Sequence, residues 1–172
     1  MFKNYNKYKL LKVFLFNSTE RFRIRELSRK IKLAPYSIMN YLKELEKEGL
    51  ITVYKKESIP FYQAQRDSID FKRYQKISIQ YELYASGIVD FLWEKMNPEA
   101  IILYGGYSKG DAIENSDIDL FLICQEEKID ISAYEKKIGK KIHLLMNSLK
   151  KIPKELKKNL VNGIILEGYL SI

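Results

Sequence analysis

Apolar residues recur at helical spacing from the start of the chain. Tyr8, Leu11, Leu15 and Phe16 predict an amphipathic helix that Asn17, Ser18 and Thr19 end. Residues 25–31, with Leu27 and Ile31 four apart, predict a short second helix, and Lys32, Leu33 and Ala34 a brief turn. Pro35 suits the first turn of a third helix, where its missing N–H costs nothing, and Gly49 suits that helix's C-terminal end. Ile38, Leu42 and Leu45 form the inward stripe of this third helix. Tyr36, Asn40, Lys43 and Lys47, with Ser37 beside them, form the opposite face. Residues 50–54 and 61–64 then read as two short strands joined by a basic tip, Lys55, Lys56, Glu57 and Ser58.

Residues 68–96 contain no proline and a single glycine, Gly87, which predicts one long helix or two broken near that glycine. Ile77, Tyr81, Tyr84, Ile88 and Leu92 are its expected apolar stripe, destined for the core or for a second copy of the chain. The run "AIILY" at residues 100–104 reads as a buried strand, "KKIHLLM" as a later one, and residues 131–138 as a helix with Asp130 at its capped start. Pro153 opens another helix reaching about residue 162, bearing Lys150, Lys151, Lys154, Lys157 and Lys158 along or just before it. A solvated face or a phosphate path both suit these lysines. The closing "GIILEGYL" is apolar enough to be tied to a core. The fold class expected is α/β (α+β): an N-terminal domain over residues 1–66, a linking helix over 67–96 and a C-terminal domain over 97–172 with a small mixed sheet flanked by helices.

Charge divides along the same lines. Residues 1–60 carry 14 Lys/Arg against six Asp/Glu, which suits a phosphate polymer, whereas residues 81–125 carry two against eight, which suits bound cations. Cys124 is the only cysteine, so no disulfide can form within the chain, and a reduced, cytoplasmic setting is expected with Cys124 as a small buried hydrophobe. The opening "MFKNYNKYKL" has no signal-like apolar stretch, and no segment approaches the roughly 20 apolar residues of a membrane helix, so no membrane partner is expected.

The candidate chemistry sits after "AIILY". Gly105, Gly106 and Gly110 would let backbone N–H groups approach a phosphate, with Ser108 and Lys109 adding a hydroxyl and a cation. Asp117 and Asp119, at i and i+2 on a strand, would project from one face. Paired carboxylates repel one another unless a cation lies between them, and hard oxygens of this kind suit Mg²⁺. The stretch "GGYSKGDAIENSDIDLFL" resembles the DNA polymerase β nucleotidyltransferase superfamily, whose pattern is a Gly-Ser turn, ten residues and D-x-D. The resemblance covers roughly residues 96–146 and looks closest to the minimal nucleotidyltransferases of archaea and bacteria. It implies transfer of a nucleoside monophosphate from an NTP to an acceptor hydroxyl. Asp117 and Asp119 would bind two Mg²⁺ ions, and the Gly105-Gly106 turn would hold the triphosphate. The chain departs from the pattern twice: Gly106 replaces the usual Ser, and His143 falls where the family places a third carboxylate. His143 is then either a general base or a strand residue without chemistry.

The stretch "IRELSRKIKLAPYSIMNYLKELEKEGLI" resembles winged helix-turn-helix regulators. That implies duplex DNA binding through Tyr36, Ser37, Asn40, Lys43 and Lys47 of the third helix, with Lys55 and Lys56 on the wing. A protein-interaction or dimerisation module is the alternative. Together the two resemblances imply a DNA-binding nucleotidyltransferase, a winged-helix regulator whose second domain senses a nucleotide without transferring it, or an antitoxin-like protein working beside a toxin partner.

Overall fold

The computed structural model describes residues 5–170, so the first four positions of the segment screened for a leader lie outside it. Among the described residues are eight helices and two sheets, in two compact units. One unit comprises residues 1–75 with Ala112–Glu114, the other Lys76–Asp111 with residues 115–172. No helix among the described residues is long and apolar enough to cross a membrane.

The first unit contains α1 (Asn6–Phe16), β1 (Arg21–Phe22), α2 (Ile24–Ile31), α3 (Pro35–Lys47), β2 (Ile51–Lys56) and β3 (Ile59–Ala64). Its sheet has the order β1-β3-β2, antiparallel throughout. Leu10, Phe14, Phe22, Leu27, Ile38, Leu42 and Leu45 are fully buried, as the helical periodicity of α1 and α3 requires. Pro35 opens α3, and Gly49 follows it at φ +69°, the left-handed turn that ends a helix at least cost on glycine. Two details differ from expectation. The dipeptide β1 is too short to leave a sequence signal, and the hairpin strands run further, so that Glu57 and Ser58 alone make the turn, both at positive φ. Lys55 and Lys56 therefore end β2 instead of forming the tip.

Helix α4 (Ile69–Ser86) gives its first turns to this unit and the rest to the second, and α5 (Ile88–Met96) follows it. The break falls at Gly87, whose φ of +83° would strain any other residue. The apolar stripe expected on α4 is wrong in its first half: Ile77 is 61% and Tyr84 44% exposed, while Phe71, Gln75, Ser78, Ile79, Glu82 and Leu83 are buried. Polar side chains on the buried face are the reason. Gln75 is satisfied within the first unit, donating to the carbonyls of Leu15 (2.7 Å) and Ala112 (2.9 Å) and accepting from the Ala112 N–H (3.0 Å). Ser18 donates to the same Ala112 carbonyl at 2.8 Å. Ile88 and Leu92 are buried as expected.

The second unit holds β4 (Ala100–Tyr104), α6 (Gly105–Lys109), β5 (Ile118–Leu122), α7 (Ser132–Ile138), β6 (Ile142–Met146), α8 (Lys154–Val161) and β7 (Ile164–Gly168). The sheet order is β6-β5-β4-β7; β4 is antiparallel to both neighbours, and β5 and β6 are parallel. This is the mixed sheet flanked by helices that the sequence predicts. Ala100, Ile102 and Tyr104 of β4, Phe121 of β5 and Ile123 just after it cluster with Ile152 and Leu160, backed by Leu145, Leu149, Leu156 and Leu170. Asp130 accepts the Ser132 N–H at 2.9 Å from one residue before the N-cap position of α7, which is Ile131 and not Asp130. Cys124 is half-buried rather than buried, and desolvation, followed by the charge of Glu127, pushes its thiol pKa up.

Candidate functional site

Strand register brings the candidate residues together. Tyr104 of β4 lies opposite Asp119 of β5, and Asp119 lies opposite His143 of β6. The next row on the same face is Ile102, Phe121 and Leu145, part of the hydrophobic layer. The row Tyr104, Asp119 and His143 is thus the polar margin of an apolar face, where burial gives way to solvent. Tyr104 is 8% exposed, and burial, reinforced by the Asp119 charge, raises its phenol pKa.

The glycine bend packs directly beneath Asp119. Gly105 has φ +73°, and a Cβ built there would lie 2.1 Å from Asp119 Oδ2 and 3.0 Å from its Cγ. Only a residue without a side chain lets the Asp119 carboxylate rest on the bend. On its other side Asp119 Oδ1 stands 3.3 Å from His143 Nδ1. The imidazole is 60% exposed and the carboxylate 28%, so both open to solvent.

Asp117 differs from its expected place: β5 begins at Ile118, so Asp117 sits in the approach to the strand and is exposed. Asp117 is thus the residue immediately before the strand that carries Asp119. The charge of Asp117 reaches Tyr107, whose phenol pKa is raised first by burial and then by Asp117. It also reaches Lys141, whose ammonium is held protonated mainly by its 2.9 Å contact with Glu135 and last by Asp117. Glu135 further accepts the Ile142 N–H at 2.9 Å, which fastens α7 to the start of β6.

The glycine-rich segment is more ordered than a loop. Gly105 opens the short helix α6, and Gly110 closes it at φ +79°. Ser108 is buried, its hydroxyl donating to the Gly105 carbonyl at 2.9 Å. It braces the bend from within, its hydroxyl proton engaged by that carbonyl. Lys109 is exposed at the end of α6.

The donor set fits a hard divalent cation in part. Two carboxylates supply oxygens of the right kind, but among the described residues no group of three or more His, Cys, Asp or Glu side chains is placed to hold a metal. Such a site suits Mg²⁺ only where substrate phosphate oxygens complete the shell, as they commonly do for this ion.

In the first unit Tyr36, Lys43 and Lys47 are exposed on α3, with Ser37 and Asn40 half-buried and Lys55 and Lys56 exposed on β2. The same unit carries four arginines that helical periodicity does not single out: Arg21 opens β1, Arg23 follows it, and Arg25 and Arg29 stand one turn apart on α2.

No curated protein matches the chain. A solved candidate nucleotidyltransferase from Sulfolobus solfataricus aligns at 12% identity and a TM-score of 0.35, over 62% of this chain and 98% of that one. Residues 86–168 match the family model described as Polymerase beta, Nucleotidyltransferase, a stretch that includes the glycine bend, both aspartates and His143, and that forms a nucleotidyltransferase-like domain.

Proposed function

We propose that the second unit binds a nucleoside triphosphate with Mg²⁺ and transfers its nucleoside monophosphate to an acceptor hydroxyl, and that the first unit is a winged helix that brings it to duplex DNA. The observation that carries the transferase reading is the Asp119 carboxylate lying on the Gly105 bend, so that an acidic oxygen and a backbone able to approach phosphate share one spot. A bound divalent cation would neutralise the triphosphate next to Asp117 and Asp119 and stabilise charge on the leaving pyrophosphate. The remaining work falls to the chain. The bend of α6 seats the phosphates. Asp119 holds His143 by Nδ1, which leaves Nε2 as the atom able to accept the proton of the acceptor hydroxyl.

A second reading has its own support. His143 occupies the position opposite Asp119 where the family pattern has an acid, and an imidazole adds no negative charge for a cation. On that reading the domain binds a nucleotide and reports it to the DNA-binding unit without transfer.

Labelled NTP with Mg²⁺, offered to nucleic-acid and protein acceptors, separates the two. Transfer that disappears in Asp119→Ala and Asp117→Ala supports the enzyme; Mg²⁺-dependent NTP binding with no transfer supports the sensor; absence of both refutes nucleotide chemistry at this site. The winged-helix reading rests on three helices followed by an antiparallel hairpin, with Tyr36, Lys43 and Lys47 exposed on the third. It requires that Lys43→Ala and Lys47→Ala weaken duplex binding; unchanged affinity would remove α3 from the interface.

A further inference from the structure

The first unit contains a groove of about 770 Å³ lined by Arg23, Arg25, Glu26, Ser28, Arg29 and Pro35. Its lining carries three arginines against one glutamate. Glu26 is already engaged, accepting the Arg23 N–H at 3.4 Å, and Ser28 donates to the Leu33 carbonyl at 2.5 Å. Arg25 and Arg29 are exposed and four residues apart on α2, a spacing at which like charges repel. An anion between them would relieve that repulsion. Pro35 is the first residue of α3, so the positive end of a 13-residue helix borders the same groove.

Arg23 is also held in place. Its guanidinium stacks 4.7 Å above the Phe61 ring, Phe61 stacks on Tyr54 with centroids 5.5 Å apart, and Arg21 lies 4.8 Å above Tyr54. A guanidinium held over a ring through cation–π attraction still has its N–H groups for an oxyanion. Such a group loses less conformational freedom on binding than a lysine at a hairpin end.

We infer that this arginine groove seats backbone phosphates of the same duplex that α3 contacts, and that Arg23, Arg25 and Arg29 carry this load. The inference rests on the DNA-binding reading of α3 and adds residues that reading does not include. Phosphate contacts are blind to sequence and release counterions, so their signature is the salt slope of affinity.

Duplex DNA of arbitrary sequence is titrated by fluorescence anisotropy over a series of KCl concentrations. In Arg25→Gln with Arg29→Gln, the slope of log affinity against log salt should fall by about 2, roughly 1 per contact, and equally on unrelated sequences. Arg25→Lys with Arg29→Lys keeps the charge and should keep most of the slope while losing affinity. Lys95→Gln with Lys128→Gln, which removes two charges from the second unit, should leave the slope in place. If the arginine-to-glutamine pair keeps the full slope while Lys43→Ala and Lys47→Ala weaken binding, the groove assignment is overturned and α3 stands. If the wild type binds duplex RNA but not duplex DNA, or neither, both fall.

Discussion

Gly105→Ala tests the geometry on which the nucleotide site depends, because it separates backbone strain from displacement of a carboxylate. At φ +73° an alanine incurs about 1–2 kcal/mol of left-handed strain, offset by about 0.4–1 kcal/mol from the stiffer unfolded chain. A net loss of about 1 kcal/mol follows. Gly139 offers the control: φ is +78° and nothing lies within 4 Å of a Cβ there, so Gly139→Ala meets the same backbone cost and no clash. The two variants should therefore unfold in urea at similar free energies. They should differ in function. In Gly105→Ala the new methyl would stand 2.1 Å from Asp119 Oδ2, and to regain an ordinary contact of 3.4 Å the carboxylate must retreat by more than an ångström. A misplacement of about 1 Å at a reacting centre commonly costs on the order of 100-fold. Mg²⁺-dependent NTP binding and transfer, measured side by side, should fall by that order in Gly105→Ala and stay near wild type in Gly139→Ala. Equal retention in both variants would refute the idea that the carboxylate resting on the bend matters.

Two further outcomes test the scaffold. Gln75→Leu removes three buried hydrogen bonds and strands the Leu15 carbonyl and the Ala112 N–H, while the Ala112 carbonyl keeps its bond from Ser18. Urea unfolding should show a loss of about 2–4 kcal/mol, and a change below about 0.5 kcal/mol would mean the amide carries little of the unit's stability. Glu135 has its pKa lowered first by the Ile142 N–H and then by Lys141. Its contribution is thus complete above the ordinary carboxylate pKa, about 4.3, and is lost as pH falls through the lowered value. Glu135→Gln should be less stable than wild type at neutral pH, with the gap closing on acidification. A gap that stays constant to low pH would assign Glu135 a packing role only.

Much of the fold can be read from the chain because its long helices and buried strands carry clean periodicities. Ile38, Leu42 and Leu45 on α3 are all buried, and "AIILY" is a fully buried strand. Reading fails where buried positions are polar. On α4 the core face includes Gln75, Ser78 and Glu82, so the more hydrophobic Ile77 and Tyr84 point to the wrong side. For the candidate site, the motif locates the bend and the aspartates, and the position of His143 follows from the strand that carries it. Three things need three dimensions: that Asp117 precedes the strand, that Ser108 bonds its own turn, and that Tyr104 joins the row. Cross-strand register decides the last of these, and which residue of a separate strand stands opposite Asp119 is fixed only when the sheet assembles. The arginine groove was illegible for a related reason, since Arg23, Arg25 and Arg29 meet Pro35 only once α2 turns into α3.

The row Tyr104, Asp119 and His143 also says how enzyme and sensor can be told apart from the metal's side. His143 is 60% exposed, so replacing it with another polar residue leaves the packed rows of the sheet undisturbed. His143→Asp puts a second carboxylate opposite Asp119, whose Oδ1 now stands 3.3 Å from the imidazole Nδ1. Without a cation the two acids repel. With one, a carboxylate about 4 Å from a unit charge gains about 1 kcal/mol at water-like screening, hence about 2 kcal/mol for a divalent ion. That corresponds to roughly 30-fold tighter Mg²⁺ binding by calorimetric titration. If Asp119 faces a cation site, the variant should show this gain whether or not it transfers a nucleotide. If His143 is the proton acceptor, transfer should fall even as metal affinity rises. A variant whose Mg²⁺ affinity does not move would mean that no cation sits between these strands, and the acidic pair would have to be explained without one.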